Sequence, residues 1–207
     1  MLDIPRLFRD LGIAPRGVIH IGAHDGEEVG VYLSMGMNNI LMIEANPNVF
    51  ARLHANVSAY PQVRAVQCAI SDRDGFVSLR VTSFDQSSSI LPLKRHKDIY
   101  PDIREEYQIS VVSRRLDTLL KEMNVSPAGY NFLNLDIQGA ELMALQGAVE
   151  TLQHIDAINT EINFDELYEG CALADEMDRF LAFFGFRRIA TVSPYHPTWG
   201  DAFYVKG

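Results

Sequence analysis

Val18-Ile19-His20-Ile21 runs directly into Gly22-Ala23-His24-Asp25-Gly26, an apolar run of strand length that stops at a glycine turn. Three further runs stop in a comparable way. Ile40-Leu41-Met42-Ile43 ends at Glu44, Phe132-Leu133-Asn134-Leu135 at Asp136, and Ala157-Ile158-Asn159-Thr160 at Glu161. Short apolar runs that alternate with helical stretches read as parallel strands buried on both faces. In open α/β sheets, ligands bind outside the carboxyl ends of such strands. A glycine turn and three acids at those ends therefore sketch a nucleotide-type cofactor site, since a carboxylate beside a core is expensive without a partner.

Around these strands the spacing of apolar residues predicts helices over Ile4–Leu11, Glu27–Met35, Pro47–Val57, Leu116–Met123, Glu141–Leu152 and Leu173–Phe184. Val63–Cys68 reads as a third parallel strand, and Phe76–Val81 as an extra strand after the Asp74-Gly75 turn. Ile109–Val112 has strand character too. Phe186–Val192 and Ala202–Val205 are joined only by the loop 193–201, so they must be antiparallel. The expected architecture is one α/β domain over residues 1–207, with a mainly parallel sheet closed by a C-terminal hairpin. Residues 83–107 mix charges with few periodic apolar positions, and are expected to form a lid over the carboxyl ends of the strands.

The chain has 207 residues, enough for one domain with a full core and too few for two ordinary ones. Its longest apolar runs are strand-sized, so no membrane span is expected. Met1-Leu2-Asp3-Ile4-Pro5-Arg6 has no charged segment leading into an apolar one, so no secretory signal is expected. Cys68 and Cys171 form no disulfide framework or zinc pattern and read as reduced core residues of a cytoplasmic protein. The net charge of −9 argues against nucleic acid as the main partner, for which a basic stripe is expected.

The glycine turn lets backbone approach a ligand closely at a helix start. A dinucleotide site would want Gly-x-Gly-x-x-Gly, but His24 and Glu27 occupy the second and third glycine positions, which disfavours NAD. Glu44 lies 18 residues beyond Gly26, where an acid can accept hydrogen bonds from both hydroxyls of an adenosine ribose. Its alternative role is to cap the helix after Asn46-Pro47. Asp136 and Glu161 should sit side by side if their strands are neighbours. They can then hold a cofactor amine, take a substrate proton or share a cation, although no metal ligand set is predicted. Glu141, in Asp136-Ile137-Gln138-Gly139-Ala140-Glu141, is a third acid that either joins them or favours the helix dipole. His20 reads as a hydrogen-bonded core residue and His196 as a solvated loop residue.

These residues are similar to the FkbM-type family of S-adenosylmethionine-dependent methyltransferases, a branch of the class I methyltransferase fold. The resemblance covers nearly the whole chain. Its specific part combines the Asp136-Ile137-Gln138-Gly139-Ala140-Glu141 block with the terminal Gly200-Asp201-Ala202 block. It implies a Rossmann-like, mainly parallel seven-stranded sheet with helices on both faces and an antiparallel C-terminal hairpin. It also implies methyl transfer, usually to the hydroxyl of a sugar or of a polyketide or peptide natural product. By the same resemblance Gly22, Ala23, His24, Asp25 and Gly26 wrap the methionine end of the cofactor. Glu44, with Ala45, holds the ribose, and Ala69, Ile70 and Ser71 border the adenine. Two residues depart from the pattern. His20 stands where class I methyltransferases commonly carry an acid, and Gln138 where this family usually has Glu.

The expected activity is therefore S-adenosylmethionine-dependent O-methylation, with Asp136, Glu161 and Glu141 as candidates for positioning or base duty. The competing readings are a non-catalytic module that binds an adenosine ligand and, behind it, an NAD-dependent oxidoreductase. Ser87–Ser89 are placed to donate to a polyhydroxylated acceptor; the Lys94–Lys97 cluster reads as a solvated face, the alternative being that Lys94, Arg95 and Lys97 meet an anionic group on the acceptor. Sequence names neither the acceptor nor the oligomeric state.

Overall fold

The computed structural model describes residues 2–207. Its main sheet contains β1 (Gly17–Ile21), β2 (Asn39–Glu44), β3 (Val63–Gln67), β7 (Phe132–Leu135), β8 (Ala157–Asn163), β9 (Phe186–Val192) and β10 (Trp199–Lys206). Their order across the sheet is β3-β2-β1-β7-β8-β10-β9. The first five are parallel, and β10 runs antiparallel to both β8 and β9. This is the seven-stranded sheet with a C-terminal hairpin that the sequence led us to expect.

Alternation along the strands builds a core on each face. Ile19, Ile21, Leu41, Ile43, Leu133 and Leu135 point to one side. There they meet α5 (Leu116–Glu122), α6 (Glu141–Gln146) and α7 (Ala174–Phe183) through residues such as Leu119, Leu145 and Leu181. Val18, Ile40, Met42 and Phe132 point to the other side. They meet α1 (Ile4–Leu11), α2 (Val29–Ser34) and α3 (Pro47–Val57) through Phe8, Tyr32 and Leu53. Each fully buried Leu or Ile in these layers contributes roughly 1.5–3 kcal/mol relative to exposure. Helix starts follow local chemistry. Asn46 accepts a hydrogen bond from Asn48 N at 3.0 Å and Pro47 opens the first turn of α3. Among the described residues, no helix is long and apolar enough to cross a membrane.

Three elements differ from the sequence reading. The expected helix over Glu141–Leu152 stops at Gln146. The Asp117 carboxylate takes the N–H groups of Glu150 and Thr151, each at 2.9 Å, and opens a separate 3₁₀ turn at Thr151–His154. The extra strand does not stand alone. β4 (Ala69–Ile70), β5 (Gly75–Thr82) and β6 (Glu105–Arg114) form a second sheet in the order β4-β6-β5. Residues 105–107 of the expected lid therefore belong to β6. The rest of that segment is tied down by α4 (His96–Ile99), by an Arg80–Ser89 bridge and by a Leu93–Tyr168 bridge.

Candidate active site

The ends of β1, β2 and β7 are clamped together by backbone. Gly22 N and Ala23 N both donate to Ile43 O, at 2.9 and 3.0 Å, and Asp136 N donates to Ile21 O at 3.0 Å. Gly22 has φ +82, and a Cβ there would lie 1.8 Å from the Asp136 carbonyl oxygen. No side chain fits. Gly26 has the same φ, and the side chains of Leu53 and Val57 occupy the space its Cβ would take. Sequence reasoning gave this freedom to a ligand. The structure shows that the two glycines are needed first for the approach of one protein element to another.

A cavity of about 630 Å³ opens over these strand ends. Of the candidates named from sequence, Gly22, Ala23, His24, Glu44, Ala45, Ala69, Ile70, Asp136 and Glu161 line it. Four do not, each for a visible reason. Asp25 is held by Arg52 Nε at 2.8 Å, and Gly26 packs on α3. Ser71 is fully buried and shares a 2.8 Å hydrogen bond with Ser113 Oγ. Glu141 folds back on its own turn, where its Oε1 accepts from Ile137 N at 3.0 Å and Gly139 N at 3.2 Å. Burial, chiefly, pushes its carboxyl up to about 7.

Glu44 does both things that sequence offered as alternatives. Its Oε1 accepts from Asn46 N at 2.8 Å and its Oε2 from His24 N at 3.1 Å, while the same side chain faces the cavity. An ionised carboxylate accepts about four hydrogen bonds, so two acceptor positions remain for a ligand diol. Ile43, Ala45, Val49, Ala69 and Ile70 offer an apolar wall beside it. No Lys or Arg lines the cavity, whereas Glu27, Glu28, Glu44, Asp85, Asp136, Glu161 and Asp201 do. That donor set fits an adenosine ligand carrying positive charge. It does not fit a pyrophosphate.

Asp136 and Glu161 are bridged. Gln138 Nε2 donates to Asp136 Oδ1 at 2.7 Å and to Glu161 Oε2 at 3.0 Å, and Tyr168 Oη donates to Gln138 Oε1 at 2.8 Å. Gln138 thus ties the two carboxyl groups together. Burial raises the Glu161 carboxyl well above its usual range, and the neighbouring acids Asp136, Glu141 and Asp201 raise it further. Burial also raises Asp136. That side chain is exposed to water through the cavity. Glu161 therefore holds its proton more tightly than an ordinary carboxyl.

His20 lies at the floor of the cavity, 3% exposed. Its Nε2 accepts from Asn134 Nδ2 at 3.1 Å, its Nδ1 lies 3.3 Å from Tyr32 Oη, and burial lowers its pKa to about 4. It is neutral and structural, as its sequence position suggested. His24, Asp25 and Glu27 are the group of metal-type donors close enough to share an ion among the described residues. Arg52 already supplies positive charge there, with bonds of 2.8 Å to Asp25 and 2.6 Å to Asp85. His196 bonds Thr198 Oγ1 at 2.7 Å and does not line the cavity.

Sequence reasoning missed several cavity residues. His96 lies inside the Lys94–Lys97 cluster, which reads as a solvated face. Lys94 pairs with Glu166 and Arg95 with Asp165, so these two cations are not free to meet an acceptor anion. His96 alone turns inward, 4% exposed, and packs on the rings of Tyr100 and Tyr168. Tyr195 and Trp199 stack at 5.7 Å and 25° on another part of the wall. Glu28 directly follows the glycine turn, and two consecutive acids at Glu27-Glu28 were the signal that could have marked it.

Residues 20–188 match the family of methyltransferase FkbM domains. The chain belongs to this family. It is also 31% identical over 161 residues to 2-O-methyltransferase NoeI of Sinorhizobium fredii (strain NBRC 101917 / NGR234), a match covering 74% of this chain and 65% of that protein. The chain thus matches just under two thirds of that relative's length. The FkbM domain described here superposes on a putative S-adenosylmethionine dependent methyltransferase from Listeria monocytogenes with a TM-score of 0.54 and 10% identity, over 97% of each chain. TrmK of M. capricolum, solved with S-adenosyl-homocysteine, gives a TM-score of 0.53 and 7% identity over 100% of this chain and 69% of that one. At such identities the likeness is one of fold, the class I methyltransferase fold.

Proposed function

We propose that this FkbM domain is an O-methyltransferase that uses S-adenosylmethionine and methylates a hydroxyl of an uncharged sugar or similarly hydroxylated acceptor. The observation that carries the reading is the cavity over the strand ends, with Glu44 half satisfied on one wall and Asp136 on another. Residues 20–188 matching the FkbM family supports methyl transfer, and the printed name of the Sinorhizobium relative supports oxygen as the acceptor atom. The missing Lys and Arg in the cavity wall, together with the net charge of −9, favour an acceptor without phosphate or carboxylate. Tyr195 and Trp199 offer the flat face on which a sugar ring packs.

In this reading Glu44 holds the ribose hydroxyls, and Ala45, Ala69 and Ile70 cover the adenine. The cofactor supplies an electrophilic methyl with a good leaving group, so the protein's task is mainly alignment. Asp136 accepts the proton of the acceptor hydroxyl. Gln138 keeps Asp136 beside Glu161, whose raised proton affinity suits it to orient the acceptor by donating to it. Residues 83–104 form the roof of the acceptor half of the cavity and exclude water from it. The test is a calorimetric titration with S-adenosylmethionine, S-adenosylhomocysteine and NAD, followed by labelled-methyl transfer to a panel of glycans and natural-product alcohols. Binding of the first two and not NAD, with label transferred to a neutral glycan, is expected. Binding of NAD alone overturns the reading.

A further inference from the structure

The amino-acid end of the proposed cofactor carries an ammonium, and an ammonium in a cavity needs an anion. The first-strand position that commonly supplies one in this fold is His20. Here it is unavailable: the ring is 3% exposed and neutral, and both its nitrogens face Asn134 and Tyr32.

Glu28 lies just beyond. It flanks α2, but its carboxylate makes no capping hydrogen bond. Instead it lines the cavity, 40% exposed, with Oε2 3.9 Å from His20 Nδ1. That contact is too long for a hydrogen bond and involves a neutral ring. Among the described residues no Lys or Arg pairs with Glu28. Glu27 and Asp136 are close enough to add to its negative potential and, after burial, hold its carboxyl above the usual range. Two acids of the same wall, Glu28 and Asp136, thus repel each other, and the nearby His24 ring, engaged by Glu27 and Asp85, relieves them only in part. A cation bound at Glu28 would offset that repulsion with a charge-assisted contact.

We infer that Glu28 anchors the ammonium of the cofactor's amino-acid end, in place of an acid on β1 at His20. His20 becomes a positioning residue that closes the back of the anchor. The inference rests on the cofactor reading above. It places the methionine end of the cofactor between the start of α2 and the end of β7, with the ribose on Glu44.

The test compares two ligands that differ at this end. S-adenosylhomocysteine has the amino-acid group, whereas 5′-methylthioadenosine keeps the adenosine and lacks it. Glu28→Gln is near-isosteric on a part-exposed side chain, and 5′-methylthioadenosine binding serves as its check on folding. Titration calorimetry of Glu28→Gln should show S-adenosylhomocysteine weakened by roughly ten- to a hundredfold, as expected for loss of a hydrogen bond to a charged group. Affinity for 5′-methylthioadenosine should stay within about twofold, below the tenfold that 1.4 kcal/mol represents. Unchanged S-adenosylhomocysteine affinity, or equal loss of both ligands, overturns the anchor. Unmutated protein that binds neither ligand overturns the cofactor reading itself, and the anchor with it.

Discussion

Two polar clusters sit along the same pair of strands, only two residues apart on β7. Asn134, with His20, Tyr32 and Asn159, forms the inner one. Asn134 Nδ2 donates to His20 Nε2 and to Tyr32 Oη, and Asn159 Nδ2 donates to Asn134 Oδ1 at 2.7 Å. Asp136, with Gln138 and Glu161, forms the outer one. The inner cluster is uncharged, and its amide, ring and hydroxyl groups serve one another, with Asn159 Oδ1 left without a partner. The outer cluster has two carboxylates for one bridging amide, and it opens into the cavity. Buried polar groups that satisfy each other fix a core. Acids that outnumber their partners at a strand end keep capacity for a ligand or a proton. The difference separates residues that hold the sheet from residues that can act on something bound to it.

That contrast breaks most visibly at Asp136. Asp136→Asn keeps the shape and removes the charge, so turnover should fall by roughly 10²–10⁴-fold while the unfolding midpoint stays near the parental value. The readout is labelled-methyl transfer to the acceptor found in the glycan panel. Parental turnover in this variant would move the base elsewhere, with His96 next, because its Nδ1 is buried without a hydrogen-bond partner in the cavity wall.

The inner cluster should behave in the opposite way. Asn134→Ala leaves His20, Tyr32 and Asn159 each short of a partner, and an orphaned buried polar group costs about 1–3 kcal/mol. Denaturant unfolding should report that loss, with S-adenosylhomocysteine affinity little changed in the protein that remains folded. A variant of parental stability that lost the ligand would erase the distinction between the clusters.

The smallest effect concerns pH. Glu161 has a folded pKa raised well above 4.5, so the folded state keeps a proton that the unfolded chain releases. Its contribution to stability is therefore fully present below about pH 4.5 and is lost as pH rises toward the folded value, at no more than about 1.4 kcal/mol per pH unit. Glu161→Gln cannot ionise and keeps an oxygen for Gln138. Its thermal midpoint between pH 5 and pH 8 should fall less than that of the unmodified protein. Parallel profiles would mean that Glu161 is ionised in the folded state.

The strands were legible because each is a short apolar run with a sharp stop, and the helices because their apolar residues repeat on one face. α3 starts at Pro47 and ends at Val57, the bounds its spacing predicted. Of the second sheet, the middles of β5 and β6 were legible as strands, but their pairing and β4 were not. β6 reads Glu105-Glu106-Tyr107-Gln108-Ile109 at its start, and its long pairing with β5 is a tertiary fact that local pattern does not carry. In the site, Glu44, Asp136 and Glu161 stood out because acids interrupt apolar runs. Glu28 and His96 did not, because acids near a helix start and basic clusters usually face water. What turns His96 inward is packing on Tyr100 and Tyr168, which lie in separate stretches of the chain.

The most direct measurement is the calorimetric titration of S-adenosylhomocysteine into the unmodified protein and into Glu44→Ala. Glu44 is the one side chain asked to hold the ribose, and its two remaining acceptor positions correspond to two charge-assisted hydrogen bonds. Binding to the unmodified protein, weakened roughly ten- to a hundredfold or more in the variant, is the expected result. Equal affinity in the two proteins, or binding of NAD in its place, would contradict it.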